Sequence, residues 1–323
     1  MAPGLIARVR WLRRNALGIN RRNQDLLLRY NSPWLVGLVD HKLRTKEVLA
    51  QHGLAVPATY ARCARASHLS ELRAEISRRG DFVVKPARGA GGEGVVVIAG
   101  RDGERFVKLT GTCLTIRDLL AHAADILGGA FSLSQTHDEV LLEQRLKNHP
   151  TLEPFCPIGV ADLRVVLLHG VPVMGMLRLP TVASDGRANL HVGGIGVGLD
   201  LANGHPNYAV CRDRPIERHP DTHQPLKDIR ISDWRAVVEL AARTYDAIPL
   251  GFVGVDVVLD ETQGPVVLEL NARPGLSIQL ANRRGLRPSI RSLLLRTASV
   301  PDTIGAGARV ALGMELSQRE DVS

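Results

Sequence analysis

Aromatic residues make up only 4% of this 323-residue chain. Proteins that bind single-stranded nucleic acid without sequence preference stack the bases on aromatic rings, so this composition argues against that class. The four cysteines are scattered and form no C-x-x-C pair. Their spacing excludes a zinc ribbon and a disulfide framework, and it fits a reducing compartment.

Long apolar runs are also missing. No segment approaches the length needed to cross a bilayer, and the N-terminus lacks the apolar core of a signal peptide. These two absences predict a cytoplasmic location. The apolar share of 45% in 323 residues predicts one large globular domain or two small ones.

The net charge of +8 is partly concentrated at the N-terminus, where Asp25 is the only acid in the first thirty residues. Two interpretations of this segment stay open: a solvated helical leader, or a contact with an acidic protein or an anionic membrane surface. No recognition motif accompanies the charge, so no specific nucleic-acid partner is predicted. The arginines of this segment are Arg8, Arg10, Arg13, Arg14, Arg21, Arg22 and Arg29.

The order of predicted elements indicates an antiparallel-rich α+β protein, because hairpins follow helices without strict βαβ alternation. We predict a basic helical leader at 1–35, a domain at 36–300 with lobes at 36–140 and 141–300, and a loosely ordered tail at 301–323. Residues 183–230 are rich in glycine and are predicted to be irregular. Ser232 and Asp233 are predicted to cap the helix that follows. This order fits two α+β lobes with a nucleotide between them.

Polar residues interrupt two apolar strands near the C-terminal end. Glu269 and Asn271 are two residues apart, so they point to one face of their strand, and Asp256 lies within the preceding apolar run. If the two strands pair, three oxygen donors converge, and such ligands suit Mg²⁺ or Mn²⁺. The alternative is a surface hairpin with outward polar residues, which the apolar flanks disfavour.

A glycine-rich loop follows another strand. Gly89, Gly91 and Gly92 allow backbone N–H groups to approach phosphate oxygens, and Lys85 ends the preceding strand. The loop is neither a Walker loop nor the G-x-G-x-x-G of a dinucleotide site. Alone it is equally typical of a hairpin turn; together with the downstream carboxylates it predicts a flap over phosphates.

Arginines recur in the middle of the chain, where their planar forks suit carboxylate or phosphoryl oxygens and can stabilise developing charge. Asp162 and Arg164 share one face of a strand. For His191, a hydrogen-bonded supporting role is preferred to that of a general base. The set comprises Asp162, Arg164, Arg178, Arg187, Asn189 and His191.

In this order, these segments resemble the ATP-grasp superfamily over about residues 36–290, and most closely its α-L-glutamate ligase-like (RimK-related) branch. Residues 40–45 resemble the lead helix that carries the first ATP-binding lysine, here Lys42, and Lys85 resembles the second. Residues 187–194 match the R-x-N-L-H-x-G-G motif, and residues 162–164 match D-I-R. Glu143, Arg145 and Leu146 fall on the strand that reads adenine, while Asp256, Glu269 and Asn271 fall on the metal triad.

The resemblance implies an ATP-dependent carboxylate–amine ligase that forms an amide through an acyl-phosphate. It implies ATP and two Mg²⁺ or Mn²⁺ ions as cofactors, and a carboxylate and an amine, such as an amino acid or a peptide, as substrates. Arg164, Arg187 and Arg273 would stabilise the transferred phosphoryl group. The phosphates would contact Lys42, Lys85 and the glycine loop, and Asp162, Arg178 and Asn189 would complete the nucleotide site.

The sequence departs from the glutamate ligase-like branch in three ways, so the identity of the acceptor substrate stays open. Relatives usually carry a Rossmann-like domain before the lead lysine, whereas 41 residues precede Lys42 here, so we expect that domain to be missing. Arg273 replaces a small residue. Residues 195–230 form a longer segment, and its glycine-rich start resembles ATP-grasp proteins linked to sugar transfer. The alternatives are therefore a sugar or cell-envelope acceptor, or a non-catalytic ATP-binding scaffold that docks a partner through the basic N-terminus.

Overall fold

The computed structural model describes residues 4–89, 91–132, 136–297 and 304–320, and it contains two antiparallel sheets. The first sheet has six strands in the order β1-β6-β2-β3-β4-β5, and the second has seven in the order β11-β10-β9-β8-β7-β12-β13. The strands are β1 Thr59–Cys63, β2 Phe82–Pro86, β3 Val96–Asp102, β4 Arg105–Lys108, β5 Cys113–Leu114, β6 Val140–Glu143, β7 Asp162–Leu168, β8 Val171–Leu179, β9 Ile195–Leu199, β10 Pro206–Cys211, β11 Arg214–Pro215, β12 Phe252–Asp260 and β13 Gly264–Asn271.

Helices flank both sheets, and none in the described residues is long and apolar enough to cross a membrane. A π-helical turn, Arg22–Leu27, joins α2 to α3. The α-helices are α1 Leu5–Asn15, α2 Ile19–Arg21, α3 Leu28–Tyr30, α4 Pro33–Val39, α5 Lys42–Gln51, α6 Leu69–Ser77, α7 Ile116–Leu127, α8 Trp234–Ala247, α9 Ile278–Ala281, α10 Leu286–Thr297 and α11 Ala306–Glu320.

The first sheet buries one apolar face against α6 and α7. Helix α7 begins with a capping box, in which Thr115 accepts from the Asp118 backbone N–H and the Asp118 carboxylate accepts from the Thr115 backbone N–H. Strand β6 pairs with β1 and β2, so this sheet extends past the predicted lobe boundary at 140 to Glu143. Val39 and Leu49, in contrast, pack in the core of the second sheet.

The second sheet is covered on both faces, which explains the nearly continuous apolar runs of β7, β8 and β12. Every residue of these three strands is buried. One face packs against α8, and the other packs against the N-terminal segment, α9, α10 and α11. A polar side chain inside such a layer must find partners there, since water does not reach it.

Two parts of the C-terminal half differ from the prediction. Residues 183–230 contain β9, β10 and β11, and the tail contains α11, which packs against β8 and α8. The side chain of Asp233 does not cap α8; its backbone has a φ of 50° at that position. Residues 298–303 and 321–323 lie outside the described residues.

The N-terminal segment is helical as predicted, but it is partly built into the second sheet. Leu17 and Leu26 are buried in its core. The Asn31 side chain donates to the carbonyl oxygens of Phe252 (2.8 Å) and Ala272 (3.2 Å) and accepts from the Phe252 N–H (2.8 Å). Asn31 therefore joins the start of β12 to the end of β13.

Replacing Asn31 should destabilise the protein. In Asn31→Ala, buried backbone groups of Phe252 and Ala272 lose their partner, so we expect a loss of about 2–4 kcal/mol in the free energy of unfolding. Chemical denaturation of both proteins measures this. The matched control is the exposed Asn203, which bonds Asp200 at the surface, and whose change to alanine should cost less than about 1 kcal/mol. Equal effects would contradict the joining role of Asn31.

Candidate active site between the two sheets

Four buried charged side chains lie across β7, β8 and β12. The register places Asp162 opposite Arg178 and Arg164 opposite Asp256. Arg164 donates twice to Asp256, from Nε to Oδ1 and from Nη2 to Oδ2, both at 2.7 Å. Arg178 donates to Asp162 Oδ1 and to Asp256 Oδ2 (2.8 Å). We call this set the arginine–aspartate cluster.

Two amides extend the cluster. Arg178 Nη1 donates to Asn189 Oδ1 (3.2 Å), and Asn271 Nδ2 donates to Asp256 Oδ2 (3.0 Å). Glu269 lies directly opposite Asp256 in the β12–β13 register and is half-buried. The structure thus brings together the predicted residues Asp162, Arg164, Arg178, Asn189, Asp256, Glu269 and Asn271.

The two aspartates of the cluster have opposite pKa shifts. Burial raises the pKa of Asp256, but Arg164 and Arg178 outweigh burial and hold it below the ordinary value. Burial raises the pKa of Asp162 to about 6, although Arg178 opposes it, because Asp162 shares that arginine with Asp256. The charge balance of two arginines and two aspartates lets the cluster stay buried.

A second cluster lies on the first sheet and α5, and its charge is not balanced. Lys85 Nζ lies 2.7 Å from Glu143 Oε2, and Lys46 Nζ contacts the same oxygen. All three side chains are buried. Burial and the neighbouring Lys85 lower the pKa of Lys46 to about 7, because one carboxylate cannot neutralise two ammonium groups. Sequence reasoning missed Lys46, although it lies four residues after Lys42 and so on the same helical face.

Lys42 completes this lysine cluster. It is the first residue of α5; its backbone N–H donates to the Ala87 oxygen (2.9 Å), and its Nζ donates to the Gly89 oxygen. Burial lowers its pKa, and Glu269 is the carboxylate that opposes this shift most strongly. A small cavity of about 10 Å³ is lined by Lys42, Lys46 and Glu269 among others. Glu269 therefore borders both clusters.

The glycine-rich loop lies against residues 187–189. Gly91 and Gly92 have φ values of +71° and +78°, which side chains rarely adopt. A Cβ on Gly92 would lie 3.5 Å from Arg187 Cδ, and one on Gly91 would lie 4.0 Å from Asn189 Nδ2. The loop is thus placed over the segment that leads into the arginine–aspartate cluster.

Other predicted residues have structural partners elsewhere. Arg145 donates to the Ala99 oxygen (3.3 Å), and Leu146 packs with Val258 and Val266. Arg187 Nε donates to the Ser184 oxygen (3.2 Å). Arg273 is exposed and pairs with Asp40, with Nη1–Oδ1 at 2.9 Å and Nη2–Oδ2 at 3.1 Å.

His191 lies outside both clusters. It is exposed and lines a cavity of about 370 Å³. The other lining residues are Leu190, Val192, Gly193, Arg212, Asp213 and Ser277.

The oxygen donors on β12 and β13 fit a hard divalent cation only in part. The Glu269 carboxylate and the Asn271 amide oxygen are suitable ligands on one strand face. Both oxygens of Asp256 already accept from guanidiniums. Within residues 4–89, 91–132, 136–297 and 304–320, no group of three His, Cys, Asp or Glu side chains has the arrangement of a metal site. A metal here would use the amide as well as carboxylates.

A family model described as sugar-transfer associated ATP-grasp matches residues 21–293, which include every residue of both clusters. The chain belongs to this family. The ATP-grasp fold predicted from the sequence is confirmed, and so is the α+β class. The family match begins within the predicted leader, in agreement with the packing of Leu26 and Asn31. No curated protein matches this family member.

Solved structures similar to this family member are distant. The ATP-grasp ligase PsnB complexed with a minimal precursor is 18% identical over 83% of this chain and 64% of that chain, with a TM-score of 0.45. A D-alanine–D-alanine ligase from Coxiella burnetii is 12% identical over 91% and 64%, with a TM-score of 0.47. The D-cycloserine synthetase DcsG is 18% identical over 82% and 73%, with a TM-score of 0.46. This chain spans just under two thirds of the PsnB chain.

The shifted pKa of Lys46 predicts a pH dependence of stability. A lysine whose pKa is lower in the folded chain binds fewer protons there than in the unfolded chain, so its contribution to the free energy of unfolding rises with pH from about 7 towards 10.5. Lys46→Met should remove this rise. Denaturation curves from pH 6.5 to 9.5 for wild type and variant measure it, with that window set by the two pKa values.

The control for this experiment is Lys227→Met, since Lys227 is exposed. This variant should keep the wild-type pH dependence. An unchanged pH dependence in Lys46→Met would show that Lys46 stays fully charged in the folded protein.

Proposed function

We propose that this protein is an ATP-dependent carboxylate–amine ligase that forms an amide through an acyl-phosphate. The observation that carries the proposal is the position of Glu269 between the two clusters. It faces Asp256 on one side and borders Lys42 and Lys46 on the other. Carboxylates that could hold a metal ion therefore lie beside ammonium groups that could hold phosphates, as binding of a polyphosphate with a metal ion requires.

The surplus positive charge of the lysine cluster supports phosphate binding. Lys46 and Lys85 share the buried carboxylate of Glu143. Lys42 donates to the Gly89 oxygen, and burial lowers its pKa although Glu269 and Asp138 oppose that shift. Lys42 and Lys85 would hold the α and β phosphates, and Lys46 would position Glu143. Glu143 Oε1 is buried without a hydrogen-bond partner among the described residues. This acceptor fits a hydrogen-bond donor of a bound ligand. The adenine contacts of Glu143, Arg145 and Leu146 stay a prediction.

Glu269 and Asn271 are the residues that would hold Mg²⁺, and Asp256 would join them. When bound, the ion would neutralise charge on the β and γ phosphates. Asp256 must give up a guanidinium contact to do so, and the phosphates of ATP attract the same guanidiniums. Lys42 and Glu269 border a cavity of about 10 Å³ between α5 and β13.

In the reaction, a substrate carboxylate oxygen attacks the γ phosphorus of ATP, and ADP leaves. An amine nitrogen then attacks the acyl-phosphate carbon; the bond to the phosphate oxygen breaks, and inorganic phosphate and a proton are released. Arg164 and Arg187 would stabilise the charge that develops in both steps. Because Arg273 pairs with Asp40, two residues before Lys42, we assign it a positioning role.

The description of the family favours a sugar or cell-envelope component as one substrate. Glutamate as the added amino acid, a peptide acceptor, two metal ions, Mn²⁺ and the cytoplasmic location stay predictions.

Glu269→Gln and Asp256→Asn should each lower turnover by about 100-fold or more, because each removes a carboxylate that would hold Mg²⁺. The assay is ADP release with Mg-ATP and a pool of amino acids, sugars and small carboxylates, with mass spectrometry of the products. An amide product has the summed substrate mass minus water. Circular dichroism checks that each variant is folded.

The control is Glu261→Gln, at an exposed position after β12. It should leave turnover unchanged. Near-normal turnover in Glu269→Gln would refute the proposed site, and ATP binding without ADP release from any pool would favour the scaffold.

A further inference from the structure

The cavity of about 370 Å³ is walled by two elements of different origin. Leu190 to Gly193 follow Asn189, whose side chain bonds to Arg178 of the arginine–aspartate cluster. Arg212 and Asp213 form the turn between β10 and β11, in the segment that departs from the glutamate ligases. The cavity therefore lies next to the segment whose Asn189 contacts the arginine–aspartate cluster.

The charges of Arg212 and Asp213 are not used by the fold. Neither side chain makes an ion pair or a side-chain hydrogen bond within the part of the chain that the structure describes, and both are exposed. Their backbones have φ values of 49° and 61°. Positive φ values at both residues are those of a two-residue type I′ turn, which connects the paired strands β10 and β11 and holds the two charged residues side by side at the cavity.

We propose that this cavity binds the amine substrate of the ligase, and that this substrate is a free amino acid. The inference rests on the proposed function. Arg212 would hold the carboxylate and Asp213 the ammonium, so the neighbouring opposite charges match a zwitterion. The volume is within the range of small-molecule sites. His191, on the same wall, accepts the proton that the ammonium loses before its nitrogen attacks.

The test compares free amino acids with their blocked derivatives. Thermal unfolding of the full chain is measured with each amino acid, its N-acetyl form and its carboxamide, in the presence of a non-hydrolysable ATP analogue. At least one free amino acid should raise the midpoint, and both of its blocked forms should not. Arg212→Gln and Asp213→Asn should each weaken that binding by about 10-fold or more.

Arg214→Gln is the matched control, since Arg214 is exposed in the same hairpin and does not line the cavity. The proposal would be overturned if Arg212→Gln bound the amino acid as wild type does, if the blocked forms bound equally well, or if no amino acid raised the midpoint.

A hydroxylamine assay distinguishes a wrong cavity assignment from the absence of ligase activity. Hydroxylamine reacts directly with an acyl-phosphate, so the reaction does not require an amino acid in the cavity. Wild type and Arg212→Gln should form hydroxamate equally from the substrate pool; no hydroxamate in wild type refutes the ligase.

A second inference rests on a separate surface. Six of the ten large apolar side chains that are exposed in the described residues lie between positions 9 and 34. Leu28 and Trp34 have exposed fractions of 82% and 73%. The six are Val9, Trp11, Leu12, Ile19, Leu28 and Trp34.

The same segment carries six arginines and one acid. It is attached to the protein by Leu17, Leu26 and Asn31, which are buried, so the exposed apolar side chains are those that the fold does not use. The four apolar and cationic side chains from Trp11 to Arg14 are all exposed on α1. Residues 9–34 therefore combine exposed apolar side chains with positive charge.

We propose that residues 9–34 bind the surface of an anionic lipid bilayer. Tryptophan and leucine side chains insert between head groups, while arginines contact lipid phosphates. A bilayer fits better than a protein partner, because the apolar side chains are spread over several helices and alternate with charges, and a fluid surface can adapt to that distribution.

Co-sedimentation with phosphatidylglycerol–phosphatidylcholine vesicles and with pure phosphatidylcholine vesicles tests this. The full chain should bind the anionic vesicles more tightly, with a blue shift of tryptophan emission from Trp11 and Trp34. Replacing Arg10, Arg13 and Arg14 by Gln should weaken binding by about 100-fold. Trp11→Ser with Leu12→Ser should remove the blue shift contributed by α1, and the control Val182→Ser, exposed elsewhere, should not. Absent vesicle binding, or binding to polyglutamate alone, would overturn the proposal.

Discussion

The carboxylate of Asp256 accepts hydrogen bonds from two guanidiniums and one amide in a layer that water does not reach. These contacts hold β7, β8, β12 and β13 in one register at the place where the polar residues meet. Removing one partner of such a buried set leaves an uncompensated charge, which costs far more than the set contributes as a whole. The second sheet can carry polar side chains on fully buried strands only because this set is complete.

The two clusters differ in how far their positive and negative side chains neutralise one another. Arg164, Arg178, Asp162 and Asp256 neutralise one another and are linked by hydrogen bonds. Lys42, Lys46 and Lys85 have too few carboxylates, so burial lowers the pKa of Lys42 and Lys46. A buried ammonium group without a full counter-charge is stabilised strongly when an anion binds beside it. The imbalance thus favours phosphate, whereas the hydrogen bonds of the balanced cluster link the neighbouring strands.

The most predictable part of the molecule was the β12–β13 hairpin, because carboxylates inside apolar strands stand out. Lys46 was missed, since a lysine on a helix usually indicates a solvated face and only the fold reveals Glu143 opposite it. β9 was missed because its glycines indicated a loop. They allow close packing: a Cβ on Gly196 would lie 2.8 Å from a Leu190 methyl, and one on Gly198 would lie 2.4 Å from the Ala281 oxygen. Gly313 similarly lets α11 approach Pro172, a contact between distant segments that local patterns do not predict.

The strand order of the second sheet has a consequence for how the chain folds. Each of the strands β7 to β11 pairs with its neighbour in sequence, and β12 pairs with β13, so two meanders of short sequence separation make up the sheet. Among the described residues, only the pairing of β7 with β12 joins the two meanders. Closing the long connection between these two strands costs conformational entropy. Arg164 and Asp256 face each other in that pairing. The charged cluster is therefore complete only when the strands of this sheet with the greatest sequence separation have paired.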